Sequence, residues 1–328
     1  MTVLVTGGSG LVGINLVERL LSQGNDVVSL SATPMPSWAE RAFASLAGRL
    51  HMYTGDVRNL LDWDAVAKRH DIGSIVHCAA ITPKEQREQR DFHRIVEVNV
   101  LGTVQALDAA RRWHVRRFIY CSSGAVYGAN AFPVGEIAEA VCPRPQTLYA
   151  VTKHAGEGAA LRYGELWNLD VVVARLGTVF GRWEHDTGVR DMLSAPMQTA
   201  AIAESGGLAV LPREGLRDWI YGPDVARALV ALLEVPKPKW EVYNVGPGAV
   251  WSMVDWCELL RSRFPEFSYR VAQDESTANV DFHAPRDRSP LCIARIREDL
   301  GFQPEYGLQR AFDDFIDWRR STLETSLV

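Results

Sequence analysis

Cysteine is sparse in this chain, and the five present, at positions 78, 121, 142, 257 and 292, are an odd number at unrelated spacings. They supply neither a disulfide framework nor a zinc-ligand pattern, so no metal site and a reducing compartment are expected. Long apolar runs are missing too. Nothing approaches the roughly 18 residues a membrane span needs, and no basic-then-apolar leader precedes the first apolar segment. A cytoplasmic protein without a membrane partner is therefore expected. Positive charge is not in excess: 35 Lys and Arg face 40 Asp and Glu, a formal net charge of −5. That leaves no basic footprint for nucleic acid, and Arg111-Arg112 with Arg116-Arg117 reads as a solvated helix end before a strand. Internal repeats, low-complexity tracts and flexible linkers are also absent, so any two lobes should share an interface.

What is there suits a large core. The chain has 328 residues, 47% of them hydrophobic and 23% charged, enough for one big domain and a smaller one. At its start, Thr2-Val-Leu-Val-Thr6 is a short apolar strand that runs into Gly7-Gly-Ser-Gly10-Leu11-Val12-Gly13. A helical pattern, Ile14 to Leu21, follows and stops at Gly24. Glycines three apart between a strand and a helix permit a tight turn, let a pyrophosphate approach bare backbone N–H groups at the helix N-terminus, and let helix pack on strand. Gly7, Gly10, Leu11, Val12 and Gly13 are thus candidates for holding a dinucleotide.

Strands and helices then alternate. Asp26–Leu30, Leu50–Tyr53, Ser74–Cys78, Arg117–Cys121 and Val171–Arg175 read as strands with helical segments between, which is the pattern of a doubly wound parallel sheet. Asp56 and Val57 after the third strand, and Ala79 and Ala80 after the fourth, lie at strand C-terminal ends, where such sheets bind ligands. Asp56 is expected to accept from an adenine amine, to cap the following helix, or both. From about 177 the alternation loosens, with shorter elements at Leu208–Leu211, Pro223–Leu233, Val242–Val245, Trp251–Phe264 and Leu308–Arg319. The expected division is a dinucleotide-binding core over 1–176 and a smaller C-terminal α/β substrate lobe over 177–328, with about 215–235 returning to the core.

The most informative pair is Tyr149 and Lys153. At i and i+4 on a helix the two side chains share a face, so an ammonium can reach the pocket of the phenol. A nearby fixed cation favours phenolate and lowers a pKa that is ordinarily about 10. Tyr149 is then suited to exchange a proton with an alcohol or ketone. Upstream, Ser122 and Ser123 lie just past a strand end, where an O–H can donate to a carbonyl.

Taken in order, Thr6–Gly13, Gly55-Asp-Val57, His77-Cys-Ala-Ala80, Asn99–Thr103, Cys121–Gly128, Tyr149-Ala-Val-Thr-Lys153, Arg175–Gly181, Arg217–Tyr221 and Leu300–Pro304 carry a resemblance over essentially the whole chain. It resembles an extended short-chain dehydrogenase/reductase of the NAD-dependent epimerase/dehydratase family. The resemblance implies a Rossmann-type fold, with Tyr149 as the proton-exchanging phenol, Lys153 as its tuner and a donor to the nicotinamide ribose, and Ser123 as the hydroxyl polarising the substrate oxygen. Around the cofactor it further implies Ser31, Asp56, Val57, Ala79, Ala80, Thr82, Asn99 and Ser122, with Asn99 alternatively a satisfied helix polar group and Ser122 alternatively a loop support. At the substrate it implies Thr82, Ser123, Thr178, Arg217 and Arg286.

Dehydratases of this family carry an acidic pair after the serine or threonine, and the related uronate decarboxylases a glutamate nearby. This chain has Gly124 and Ala125, which cannot titrate. A sugar or nucleotide-sugar C4 epimerase is the expectation; a sugar, sugar-acid or other alcohol dehydrogenase or ketone reductase with net cofactor turnover is the alternative, and a non-catalytic NAD(P)-sensing protein a remote one. Arg217 and Arg286 would pair with a nucleotide diphosphate or a sugar acid's carboxylate, or be structural through acids such as Asp218 or Asp287. The second strand ends Ser29-Leu-Ser31-Ala-Thr33 with no acid for the ribose and no cation before Arg41. NAD is favoured over NADP, to whose 2′-phosphate Ser31 and Thr33 could donate. A homodimer is expected through a four-helix interface built from the helices Gln86–Trp113 and Tyr149–Trp167.

Overall fold

The computed structural model describes residues 2–326. In chain order the elements of the first half are β1 (Thr2–Thr6), α1 (Leu11–Ser22), β2 (Asp26–Ser31), α2 (Ser37–Phe43), β3 (Leu50–Thr54), α3 (Leu60–Ala67), β4 (Ser74–His77), α4 (Glu85–Val96), α5 (Gly102–Arg112), β5 (Arg117–Ser123) and α6 (Leu148–Trp167). The second half adds β6 (Val171–Leu176), β7 (Thr178–Phe180), α7 (Ala195–Glu204), β8 (Leu208–Leu211), β9 (Trp219–Tyr221), α8 (Gly222–Glu234), β10 (Val242–Val245), α9 (Met253–Arg263), β11 (Ser268–Val271), α10 (Ala294–Leu300) and α11 (Leu308–Ser326).

Seven parallel strands form one sheet in the order β10-β6-β5-β4-β1-β2-β3. The chain reverses direction across the sheet between β1 and β4, and that switch point opens a crevice at the strands' C-terminal ends. Because successive side chains point to opposite faces, the central strands are apolar on both. Val3, Val5, Val27 and Ile119 join the layer that contains α1 and α8, while Leu4, Val28, Ile75 and Phe118 join that of α5 and α6. Val242–Val245 was expected in the substrate lobe and is instead the sheet's edge strand, paired in register with Val173–Leu176. Four residues of apolar pattern could not show which sheet they join.

A second core gathers Phe180, Trp219, Tyr221, Trp251, Trp256, Phe282, Phe312 and Phe315 around α7, α9 and α11. Trp251 stacks on Trp256 at 5.6 Å. The helix expected over Gln86–Trp113 is interrupted: Asp91 leaves helical geometry, and Glu97–Leu101 forms a π-turn between α4 and α5. Such a turn re-aims one side chain, here Asn99, into the neighbouring loop.

Candidate active site

The glycine turn is built to bring backbone close to a ligand. Gly7 has φ +66°, and a Cβ on Gly13 would lie 2.1 Å from the Gly7 carbonyl oxygen and 2.7 Å from the Gly8 Cα. Helix α1 follows Gly10 with no side-chain cap and no acid in its first turn. Its first N–H groups therefore face the crevice without a protein anion, the donor arrangement that a pyrophosphate fits. Ser31, expected at the cofactor, also braces this turn: its Oγ accepts from the Ser9 N–H at 3.1 Å, and the Ser9 hydroxyl donates to the Thr33 carbonyl at 3.0 Å.

Asp56 does not cap α3. Asn59 does so, its side chain accepting from the Leu61 N–H at 3.1 Å. The Asp56 carboxylate accepts from Arg58 Nε at 3.0 Å and Nη2 at 2.7 Å, and this guanidinium holds its pKa below the ordinary value. Val57 is buried and packs with Trp63, whose indole donates to the Val57 carbonyl.

A buried hydrogen-bond relay sets the loop after β4. The Thr103 hydroxyl donates to the Asn99 carbonyl, so it accepts from His77 Nε2 at 3.1 Å, and Thr6 Oγ1 donates to His77 Nδ1 at 2.8 Å. Burial pushes the His77 pKa down to about 3, so the ring is neutral, as the relay requires. Asn99 is locked as well. Its side chain accepts from the Ile81 N–H and donates to the Ile81 carbonyl and the Thr152 hydroxyl, pinning the Ala79–Thr82 loop to α6. Its side chain serves as a brace, and the Ala79 N–H donates to Thr6 Oγ1.

Tyr149 lies in the first turn of α6, which Thr147 caps by accepting from the Ala150 N–H at 3.2 Å. The Ser123 and Thr82 side chains approach its phenol closely enough to pull its pKa down. These three residues, 67 positions apart at the extremes, thus share one pocket above the sheet's C-terminal edge. The phenol's pKa is raised: burial is the largest cause, opposed by the Ser123 and Thr82 side chains and by the Arg190 cation. This corrects the expected sign, because desolvation of a phenolate outweighs the charges around it.

Lys153 is buried, and burial lowers its pKa to about 8 against the pull of Cys121, Cys78 and Glu157. Its ammonium stands 4.3 Å over the Tyr120 ring. The two serines divide as well. Ser122 donates to Glu157 at 2.5 Å, supporting the buried ion pair of Glu157 with Arg175 at 2.8 Å, and so serves the scaffold below the pocket. Ser123 faces Tyr149.

Of the residues expected at the substrate, Thr178 opens β7, in register with Trp219. Arg217 is buried. Its Nε donates to Asp287 at 2.6 Å, Nη1 to the Phe282 carbonyl and Nη2 to the Arg286 carbonyl, so three of its N–H groups are spent on the protein. Arg286 is exposed and lies over the Phe132 ring at 4.2 Å.

Two cations near the pocket escaped the sequence reading. Arg190 sits in a segment that bridges to Thr82, the Thr82 N–H donating to the Val189 carbonyl at 2.9 Å and the Asp191 N–H to the Thr82 carbonyl. Arg190 also donates to Glu184 at 2.8 Å. Arg288 pairs with buried Asp218 at 2.9 Å and lies against Gly124, where an added Cβ would be 3.2 Å from its guanidinium.

The fold and glycine turn define a dinucleotide-binding α/β protein, and Ser123 and Thr82 set two hydroxyls beside the Tyr149 phenol. Residues 3–246 match the model of the NAD dependent epimerase/dehydratase family, and the chain belongs to that family of NAD-dependent enzymes. It is 28% identical over 327 residues to the UDP-glucose 4-epimerase of Mycolicibacterium smegmatis, covering 98% of this chain and 99% of that protein. To a dTDP-glucose 4,6-dehydratase of an Actinoplanes species it is 26% identical, covering 98% of each. Among solved structures, MoeE5 in complex with UDP-glucose and NAD superposes with a TM-score of 0.78 at 27% identity, covering 98% of this chain and all of that one.

Proposed function

We propose that this protein is a nucleotide-sugar 4-epimerase. The carrying observation is the composition of the pocket around Tyr149: one phenol, hydroxyls from Ser123 and Thr82, and at the next two positions Gly124 and Ala125, which cannot titrate. Eliminating water needs a second proton carrier beside the serine, whereas inverting a carbinol needs only one. NAD bound at the Gly7–Gly13 turn supplies the hydride acceptor and donor of such chemistry. Tyr149 takes the proton of the sugar hydroxyl and gives it back, and Ser123 donates to the same oxygen as it gains carbonyl character. Lys153 donates to the cofactor ribose and opposes neutralisation of the site. Arg190 supplies positive charge that pulls the phenol's pKa down. MoeE5 has been solved with UDP-glucose and with UDP-glucuronic acid, so these two are the first substrates to offer.

The second core, built on α7, α9 and α11, is the substrate lobe in this reading. We also infer a homodimer. Phe92 and Leu101, on and just after α4, and Val151 on α6 are 52%, 53% and 46% exposed, an apolar face that a second copy would cover. The five free cysteines suit a reducing compartment such as the cytoplasm.

The test is to incubate the protein and NAD with each UDP-sugar and follow the C4 configuration by proton NMR alongside NADH absorbance. Conversion to the C4 epimer without net NADH is expected. Stoichiometric NADH would assign a dehydrogenase instead. Tyr149→Phe should bind NAD as the parent does and turn over at least about a hundredfold more slowly; undiminished turnover refutes the role of the phenol.

A further inference from the structure

Two nucleophiles at the sheet's C-terminal edge take no part in this chemistry. Cys78 follows β4 directly, Cys121 lies on the neighbouring β5, and their Sγ atoms are 3.3 Å apart. Both are free thiols. Cys78 is half-buried and is the more accessible of the two, Cys121 being 5% exposed. The Lys153 ammonium is an electrostatic partner of both sulfurs. The pair is also wired to the cofactor turn: a Cβ on Gly7 would lie 3.2 Å from the Cys78 carbonyl carbon and 2.8 Å from the Ala79 Cα. On the other side, Cys121 leads through Ser122 to Ser123 on the same strand.

We propose that Cys78 and Cys121 form a dithiol modification site, which a peroxide oxidises to an intramolecular disulfide that weakens dinucleotide binding. The Cys78 sulfur, having given up its proton, attacks one peroxide oxygen. The O–O bond breaks, and the departing oxygen takes up a proton to leave as water, with Cys78 now a sulfenic acid. The Cys121 sulfur then attacks the Cys78 sulfur, the S–O bond breaks, and a second water leaves. In sum two S–H bonds are lost, one S–S bond forms, and the peroxide takes two electrons to become two waters. A dithiol reductant reverses the step by exchange.

A disulfide requires the sulfurs at about 2.05 Å, so each side must move inward from the observed separation. The movement draws the Cys78–Ala79 backbone away from its fitted contact with Gly7 and removes two thiols that Lys153 faces. The Cys78 thiol is pushed well above its ordinary range by its contact with Cys121 and by burial, with Lys153 opposing. Oxidation should therefore be slow at neutral pH and accelerate as pH rises, because the thiolate is the attacking species.

The experiment uses full-length Cys142→Ser protein, which removes the exposed cysteine, reduced and then exposed to hydrogen peroxide with NAD absent. Alkylation and peptide mass mapping count thiols and locate the bridge, and NAD affinity is measured before and after. The expected result is loss of two thiols, a bridge between the Cys78 and Cys121 peptides, NAD binding weakened at least about tenfold, and recovery of both on adding dithiothreitol. Cys78→Ser and Cys121→Ala, made separately in that background, should each form no bridge and keep their NAD affinity through peroxide treatment. Both thiols staying reduced, or either pairing with another cysteine, overturns the site. A bridge that leaves NAD affinity unchanged overturns its effect. Reduced protein that never binds NAD would instead overturn the cofactor assignment, since the bridge is scored by mass alone.

Discussion

Replacing Lys153 with methionine removes a buried ammonium and keeps most of the side-chain volume, so it separates what this residue does for the site from what it does to the fold. Lys153 is 2% exposed, and burial lowers its pKa from the ordinary 10.5 to about 8. At about 1.4 kcal/mol per pH unit, that drop corresponds to a penalty on the order of 3 kcal/mol for keeping the charged form folded at neutral pH. The folded value lies below the unfolded one, so the unfolded chain holds the extra proton between about 8 and 10.5. Wild-type stability therefore rises with pH across that window and is lost again as pH falls through about 8. Methionine has no such dependence. The contact of the ammonium with the Tyr120 ring offsets part of the penalty, by about 1–2 kcal/mol. At pH 7 the variant should thus be more stable than wild type by roughly 1–3 kcal/mol, which at about 2 cal/mol/K per residue raises Tm by about 2–4 °C. At pH 10 the advantage should shrink by about 2 kcal/mol. Circular-dichroism melts of both proteins at the two pH values, without nucleotide, read this directly. A variant less stable than wild type at pH 7, or a difference that ignores pH, refutes the account of Lys153 as a charge held against its solvation. Turnover in the variant should nevertheless fall, the usual exchange of site strain for stability.

Gly13→Ala places a methyl 2.1 Å from the Gly7 carbonyl oxygen, a backbone atom that cannot rotate away. Overpacking of this kind costs about 1–3 kcal/mol, so NAD affinity by isothermal titration should weaken roughly ten- to hundredfold, and an unchanged Kd would count against the turn as the cofactor site. Arg190→Leu removes a cation that pulls the Tyr149 phenol down. The acidic limb of the kcat/KM profile, where the phenol must lose its proton before it can take the sugar's, should move to higher pH, while Arg190→Lys should leave it near the wild-type position; a profile that does not shift in Arg190→Leu excludes Arg190 from the electrostatics of the phenol.

The fold and half the pocket were legible because their signals are local. A strand, three spaced glycines and a helix announce the cofactor turn within about twenty residues, and alternating apolar strands and helices announce a doubly wound sheet. Tyr149 and Lys153 are one helical turn apart, and Ser123 ends its strand. The neighbours of each of these are set by the chain itself.

What only the tertiary structure decided is which protein partners the polar groups take. Ser31, Ser122, Asn99, Asp56 and Arg217 all had the right chemistry for a ligand, yet their partners Ser9, Glu157, Ile81, Arg58 and Asp287 are chosen by how distant or turning segments meet. Val242–Val245 joins the main sheet for the same reason. The sign of the Tyr149 shift was also beyond a pairwise reading, because burial depends on everything packed above the phenol and not on Lys153 alone. Thus the order of the chain determined the scaffold and the position of its pocket phenol. The third dimension determined the charge environment and the division between bracing and binding, since desolvation and hydrogen-bond saturation belong to neighbourhoods that sequence spacing does not encode.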